Sequence, residues 1–512
     1  MKLWQRWSSF WFNCTRTRLM AAKPLRNLSQ SAKALFSSLV KPWGIIILIL
    51  LVLIPVPNLA AVHLLGSNPL GQLGTDGDAL LAQSVSAQSA SNGTLAQSSS
   101  SPVSEPMATP VPTRLFTPVL DPFLTTGNLA AAETKFATYL TQFPQDDKAR
   151  FSLGVVQLLR GVERLTQSFY RYGLRRVGNG MGLPFLRLPI PDNPKPEAIS
   201  YPQLRQIFQQ WNDDLSISAK TLEPIRDPNV KLPIRWGMVR LDLDGDGKYQ
   251  DDELLWRVFQ RVSSMRLTQA QANNFLVAFD LGDVYWLRGY THILRSMNEF
   301  LLAYNTQETF ERGAHLFFKQ IKTPHNFLLT RDFTEEYTAY DGTKYPREER
   351  DNFLDWIAIT HSLQFPLAEP MRLTAVWQHL QEVTRLSQLS WQAINAETDN
   401  DREWLPNPRQ TSVIPNAKVT DEMIQTWTGA MQEFNLILKG ERLIPFWRNT
   451  EGMGINAKRV FTEPQAFDIF YWFQGTAATP YLEKGNFTAL NVWGDLFNAF
   501  GSDLLMFGIW FN

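Results

Sequence analysis

The broadest apolar stripe in the chain runs over 282–304. Val284, Trp286, Leu287, Tyr290, Ile293, Leu294, Met297, Leu301 and Leu302 recur there at helical spacing. A face that wide predicts a buried helix. The same spacing predicts helices over 201–221, 252–264, 267–279, 307–320, 346–364, 369–394 and 420–439. Polar or proline-containing stretches at 335–346 and 395–415 read as connections. After residue 440 the period loosens and aromatics crowd together, among them Phe467, Phe470, Tyr471, Trp472, Phe473, Trp493, Phe497 and Phe500. Aromatic clusters fill cores first; a stacking surface for glycan or a membrane-facing patch is the other reading. The terminal apolar run, 504–511, is too short to span a bilayer. The expected class is mainly α.

The first third has a different pattern. Ile45 to Ile54 contains no polar residue, and Pro55, Pro57 and a second apolar stretch to Leu65 follow. Two readings fit. A secretory signal needs a basic region, an apolar run of about 7–15 residues and a small-residue cleavage site, which Ala60 and Ala61 supply. A membrane anchor needs about 20 mostly apolar residues, and 43–65 reaches that length only across Pro55, Pro57 and His63. Both readings put the basic side in the cytoplasm and everything after residue 65 outside it. Residues 66–113 are rich in Ser, Ala, Gln, Gly and Pro without periodicity, which predicts a disordered tether. The expected organisation is therefore a basic region (1–44), a signal or anchor (45–65), a linker (66–113), a short helical unit (114–176) and a larger helical domain (177–512).

One stretch makes a strong chemical statement. Residues 242–253 carry Asp242, Asp244 and Asp246 at alternate positions, then Gly247, Lys248 and, at the twelfth place, Glu253. Alternate residues of a tight loop can aim several carboxylates at one centre, and hard cations take about six to eight oxygen ligands. Crowding Asp242, Asp244, Asp246, Asp251, Asp252 and Glu253 against only Lys248 is repulsive without a cation. The stretch resembles the EF-hand calcium-binding loop. That resemblance implies a calcium ion held by Asp242, Asp244, Asp246, the backbone carbonyl of Lys248 and Glu253, with Gly247 at the sharp turn and Gln250 acting through water. Two departures stand out. Tyr249 occupies a position usually held by a branched aliphatic, and 231–241 carries Pro233 and Gly237, so it reads as extended rather than as an entering helix. No second loop of this pattern occurs in the sequence.

A second resemblance is weaker. Gly127, Ala132, Phe136, Tyr139 and Pro144 fall where the second helix and closing proline of a tetratricopeptide repeat would put them. Leu153, Gly154, Gly161, Phe169 and Tyr170 follow the scheme at the next period of about 34 residues. Tyr139 is larger than the residue expected there, and Thr166 replaces an alanine. The resemblance covers about one and a half units of 127–173 and implies a helical hairpin whose surface takes a protein or peptide partner.

Charge and residue inventory narrow the function. Residues 1–44 carry eight Lys or Arg and no acid, which leaves 41 basic against 49 acidic residues in the remainder. A mildly acidic body argues against nucleic acid as a partner. Cys14 is the only cysteine and precedes the apolar segment, so the exported part holds no disulfide. No Gly-x-Ser-x-Gly, His-Glu-x-x-His or phosphate-loop motif is present, and the histidines show no zinc spacing. Asp280 and Asp283 flank a helix start, where they cap it or line an acidic site. The expectation is a calcium-binding, exported, membrane-tethered helical scaffold or binding protein. The alternative is an envelope hydrolase acting on glycan in an acidic, aromatic-lined cleft.

Overall fold

The computed structural model describes residues 117–175, 190–248, 250–257, 268–329, 336–338, 344–414, 418–448 and 452–500. The basic region, the apolar segment 45–65, the linker 66–113, residues 176–189, Tyr249 and the 504–511 run lie outside the described residues. Among the described residues no helix is long and apolar enough to cross a membrane.

The molecule is mainly helical, as the periodicity predicts. After a short helix over Asp121–Thr126 come α1 (Leu129–Gln142), α2 (Asp147–Arg171) and α3 (Tyr201–Leu222). Side-chain caps start each of the three: Asn128 accepts from the Ala131 N–H, Asp146 from Ala149, and Ser200 from Gln203 in a reciprocal capping box. α1 and α2 pack against each other, and α2 runs unbroken through Gly161. Its glycines set how close the next helix lies. A Cβ on Gly154 would collide with the side chain of Leu222, and one on Gly161 would press on Trp211 and Asp214, both on α3.

Two strands follow, β1 (Leu232–Arg235) and β2 (Leu276–Phe279), paired antiparallel with Leu232 opposite Phe279. β1 covers the start of the stretch read as extended, 231–241, and Trp236–Met238 within it forms a tight helical turn. β2 corrects the helix expected over 267–279: the helix covers only Gln269–Asn274. The apolar run that ends it is too short to reveal its period, and pairing with β1 settles it as a strand.

α4 (Leu281–Ala303) is the buried helix the stripe predicts, and it packs most extensively on α5 (Met371–Ala396). The helix expected over 307–320 is shorter, Gln307–Gly313 followed by one tight turn. Arg347–His361 is helical, and α6 (Asp421–Lys439) ends at Gly440 in the left-handed conformation. α7 (Leu490–Phe500) packs on α6.

Among the described residues, three large apolar clusters hold these elements, and a fourth, small one gathers Leu254, Trp256 and Ala272. One lies among α1, α2 and β1, one between α2, α3 and 310–321, and the largest joins α5, α6 and the C-terminal aromatics. Phe467, Trp493 and Phe500 are buried in that last cluster. Phe470, Tyr471 and Phe473, on a short helix over Ile469–Gln474, are instead 45%, 58% and 43% exposed.

Candidate cation loop and apolar cavity

The acidic loop is anchored by the helices around it. Glu163, buried on α2, accepts the backbone N–H of Asp242 at 3.0 Å, and the Gln167 amide donates to the Asp242 carbonyl at 2.8 Å. On the other arm the Leu255 N–H donates to the Val239 carbonyl at 2.8 Å. Within the loop, Asp242 accepts from the N–H groups of Gly245 at 2.7 Å and Gly247 at 3.3 Å. Gly245 and Gly247 take φ of 80° and 72°, a region that costs a side chain dearly and a glycine nothing. Those two residues let the chain fold back so that carboxylate oxygens of Asp242, Asp244 and Asp246 lie within 4.8 Å of one another.

The structure thus brings three of the sequence-predicted ligands together. Glu253 stands outside that group. It is buried, and its two oxygens accept from the N–H groups of Leu243 at 2.8 Å and Gln250 at 2.9 Å. A carboxylate has about four lone-pair sites, so these bonds leave it acceptor capacity. The Lys248 N–H donates to Asp246 at 2.7 Å, and its ammonium lies 3.3 Å from the same carboxylate. Burial raises the pKa of Glu253. Burial also raises Glu163, to about 7, with the charge of Asp242 adding to the effect. The Lys248 N–H holds Asp246 below the ordinary value. An all-oxygen donor set with several carboxylates suits a hard divalent cation. Glu163 and Gln167 were not among the residues the sequence pointed to. The signal was there for Glu163, an acid on the apolar side of α2, but its partner lies 79 positions away.

A second group of acids sits at the start of α4. Asp280 accepts the N–H groups of Gly282 at 2.8 Å and Asp283 at 3.3 Å, and Asp283 Oδ2 accepts the N–H of Asp280 at 3.1 Å. This reciprocal cap is one of the two roles the sequence allows. The group extends further, because oxygens of Asp280, Glu397 and Glu403 lie within 4.8 Å of one another. Carboxylates this close repel one another unless one of them holds a proton. Burial, reinforced by the charge of Asp280, pushes Glu397 up to about 9, and burial pushes Glu403 up to about 7. Asp283 is held well above the carboxylate range, by burial first and Asp280 second. On the solvent side Lys231 pairs with Asp399 and, at 2.6 Å, with Asp401.

Between the two acidic groups lies a cavity of about 380 Å³. α2, α3 and α4 supply most of its wall, with Phe151, Trp211, Trp286 and Tyr290 among the aromatic members, and Leu241 and Leu255 from the arms of the acidic loop close one part of it. The wall is almost wholly apolar. Asp283 and Trp404 belong to it, and Asp283 Oδ1 and the Trp404 indole N–H are buried without a hydrogen-bond partner. A glycan in this space would leave most of its hydroxyls unpaired.

His292 on α4 and His379 on α5 meet with their Nδ1 atoms 3.0 Å apart. Burial drives both down to about 3, so the pair is neutral at pH 7 and one ring donates to the other. No protein-family model, no curated protein and no solved structure matches this chain.

Proposed function

We propose that this protein is a calcium-stabilised helical binding protein of the cell envelope, tethered to the membrane through residues 45–65 with its helical body outside the cytoplasm. The observation that carries the metal is the convergence of Asp242, Asp244 and Asp246 within 4.8 Å on a loop turned by two left-handed glycines. Calcium would be held by these three carboxylates, by the Lys248 carbonyl and by Glu253. When bound it supplies the positive charge that the crowded acids lack.

Its role is structural. The two arms of the loop meet where the Leu241 N–H reaches the Glu253 carbonyl at 3.4 Å, and both continue into the apolar interior at Leu241 and Leu255. A cation in the loop clamps those arms against α2. Sensor proteins of the EF-hand type open a helix pair on binding; here the entering arm follows a strand, β1, rather than a helix. Extracellular calcium modules bind in the range of about 10⁻⁴–10⁻³ M, which suits a site that stays filled outside the cell. Titration calorimetry of the protein with calcium tests this reading. One site per chain in that range supports it; no heat at millimolar calcium overturns it.

A further inference from the structure

The apolar stripe that marks α4 is only half covered. Trp286, Tyr290, Leu294, Met297 and Leu301 lie along one face of that helix and remain half-buried. α2 turns a matching face toward the same space through Phe151, Val155, Leu158, Val162 and Leu165. Both helices pack on α3, yet their backbones stay apart from each other. The cavity of about 380 Å³ is the gap between the two faces, with Phe208 and Trp211 of α3 along its floor. Polar groups contribute little to it. Asp283 and Asn298 are themselves buried, and the Trp404 indole nitrogen is covered.

Shape and chemistry together select a ligand. Phe151 and Leu165 stand almost four helical turns apart, about 21 Å along α2. A volume of about 380 Å³ drawn out over about 20 Å leaves a cross-section of about 19 Å². That admits one hydrocarbon chain and is too narrow for a peptide with its side chains. A peptide would also bury backbone N–H and C=O groups without partners. Apolar cavities stay dry and take up apolar molecules, and an unfilled gap of this length forfeits dispersion contact along both helices.

We propose that the cavity holds a single acyl chain, laid along α2 and α4, with its head group outside. The chain belongs to a free fatty acid or to a membrane lipid. The inference goes beyond the metal loop and needs neither the cation nor the tether.

Photolabelling of the full-length protein tests it, with palmitate carrying a terminal diazirine as the probe and peptide mass spectrometry as the readout. Labels should fall on the two facing stripes, within 151–165 and 286–301, saturate at one per chain and be displaced by unlabelled fatty acids. Displacement should strengthen about fourfold for each added methylene from octanoate through decanoate to dodecanoate. Leu294→Trp, which plugs the cavity midway along α4, should remove the cavity labels. Phe353→Ser, which removes an exposed ring outside the cavity, should leave them unchanged. If Leu294→Trp does not fold, the chain-length series on the parent carries the test. The same diazirine chain on phosphatidylcholine, presented in phosphatidylcholine vesicles, separates the two sources. Cavity labels from the vesicles assign a lipid chain, and cavity labels from the free acid alone assign a fatty acid. Labels confined to residues outside the two stripes, or displacement that ignores chain length, overturn the proposal.

Discussion

Glu163 accepts the backbone N–H of Asp242 at 3.0 Å, so the first residue of the acidic loop is fastened to the middle of α2. Glutamine at position 163 keeps a carbonyl oxygen for that N–H, whereas alanine strands it. Leaving a buried donor unpaired costs about 1–3 kcal/mol. Glu163→Ala should therefore lower stability by that amount in chemical denaturation and weaken calcium binding, while Glu163→Gln should stay close to the parent in both.

The contact of α2 with α3 depends on Gly154. A methyl group there would meet the side chain of Leu222, which is fully buried. Gly154→Ala would gain helix propensity on an isolated helix; here overpacking should outweigh that gain and cost about 1–3 kcal/mol. Denaturant midpoints of the variant and the parent measure it. Leu222→Ala should cost less in the Gly154→Ala background than in the parent, because it removes the side chain the new methyl group meets.

The pair Asp280–Glu397 gives stability a pH dependence. Glu397 has an ordinary pKa of 4.5 and is pushed to about 9 in the folded protein. The folded state then holds a proton that the unfolded chain has shed. Its contribution is full below pH 4.5 and is lost as pH rises through about 9. Glu403, raised to about 7, acts in the same direction over a narrower range. Glutamine imitates the protonated form of Glu397 at any pH. Melting temperatures of parent and Glu397→Gln should therefore run together near pH 5 and separate as pH rises, the variant melting higher at pH 9. Parallel curves across that range would contradict a proton held by Glu397 in the folded protein.

Local pattern accounts for much of this architecture, and distance in sequence for what it missed. Tyr201–Leu222 and Leu281–Ala303 are long enough to display a full apolar face, so their periodicity alone finds them. The meeting of the loop aspartates is legible because Asp242, Asp244 and Asp246 lie within five residues of one another. Leu276–Phe279 is not legible: four apolar residues fit a helix or a strand equally well, and the deciding partner is Leu232–Arg235. The meeting of Asp280 with Glu397 and Glu403, and of His292 with His379, depends on α4 lying along α5. No spacing rule reports such a contact. The clustered C-terminal aromatics divide for a similar reason. Phe467 enters the core from a strand, while Phe470 and Tyr471 turn outward on the helix that follows.

The most direct test of the cation loop compares thermal unfolding with chelator and with millimolar calcium, in the parent and in Asp242→Asn/Glu253→Gln. The parent should melt measurably higher with calcium, because a ligand that binds only the folded state at about 1–10 times its dissociation constant adds about 0.4–1.4 kcal/mol. The double variant should melt at one temperature in both buffers. A parent whose melting temperature ignores calcium, or a variant that still responds to it, would contradict the account.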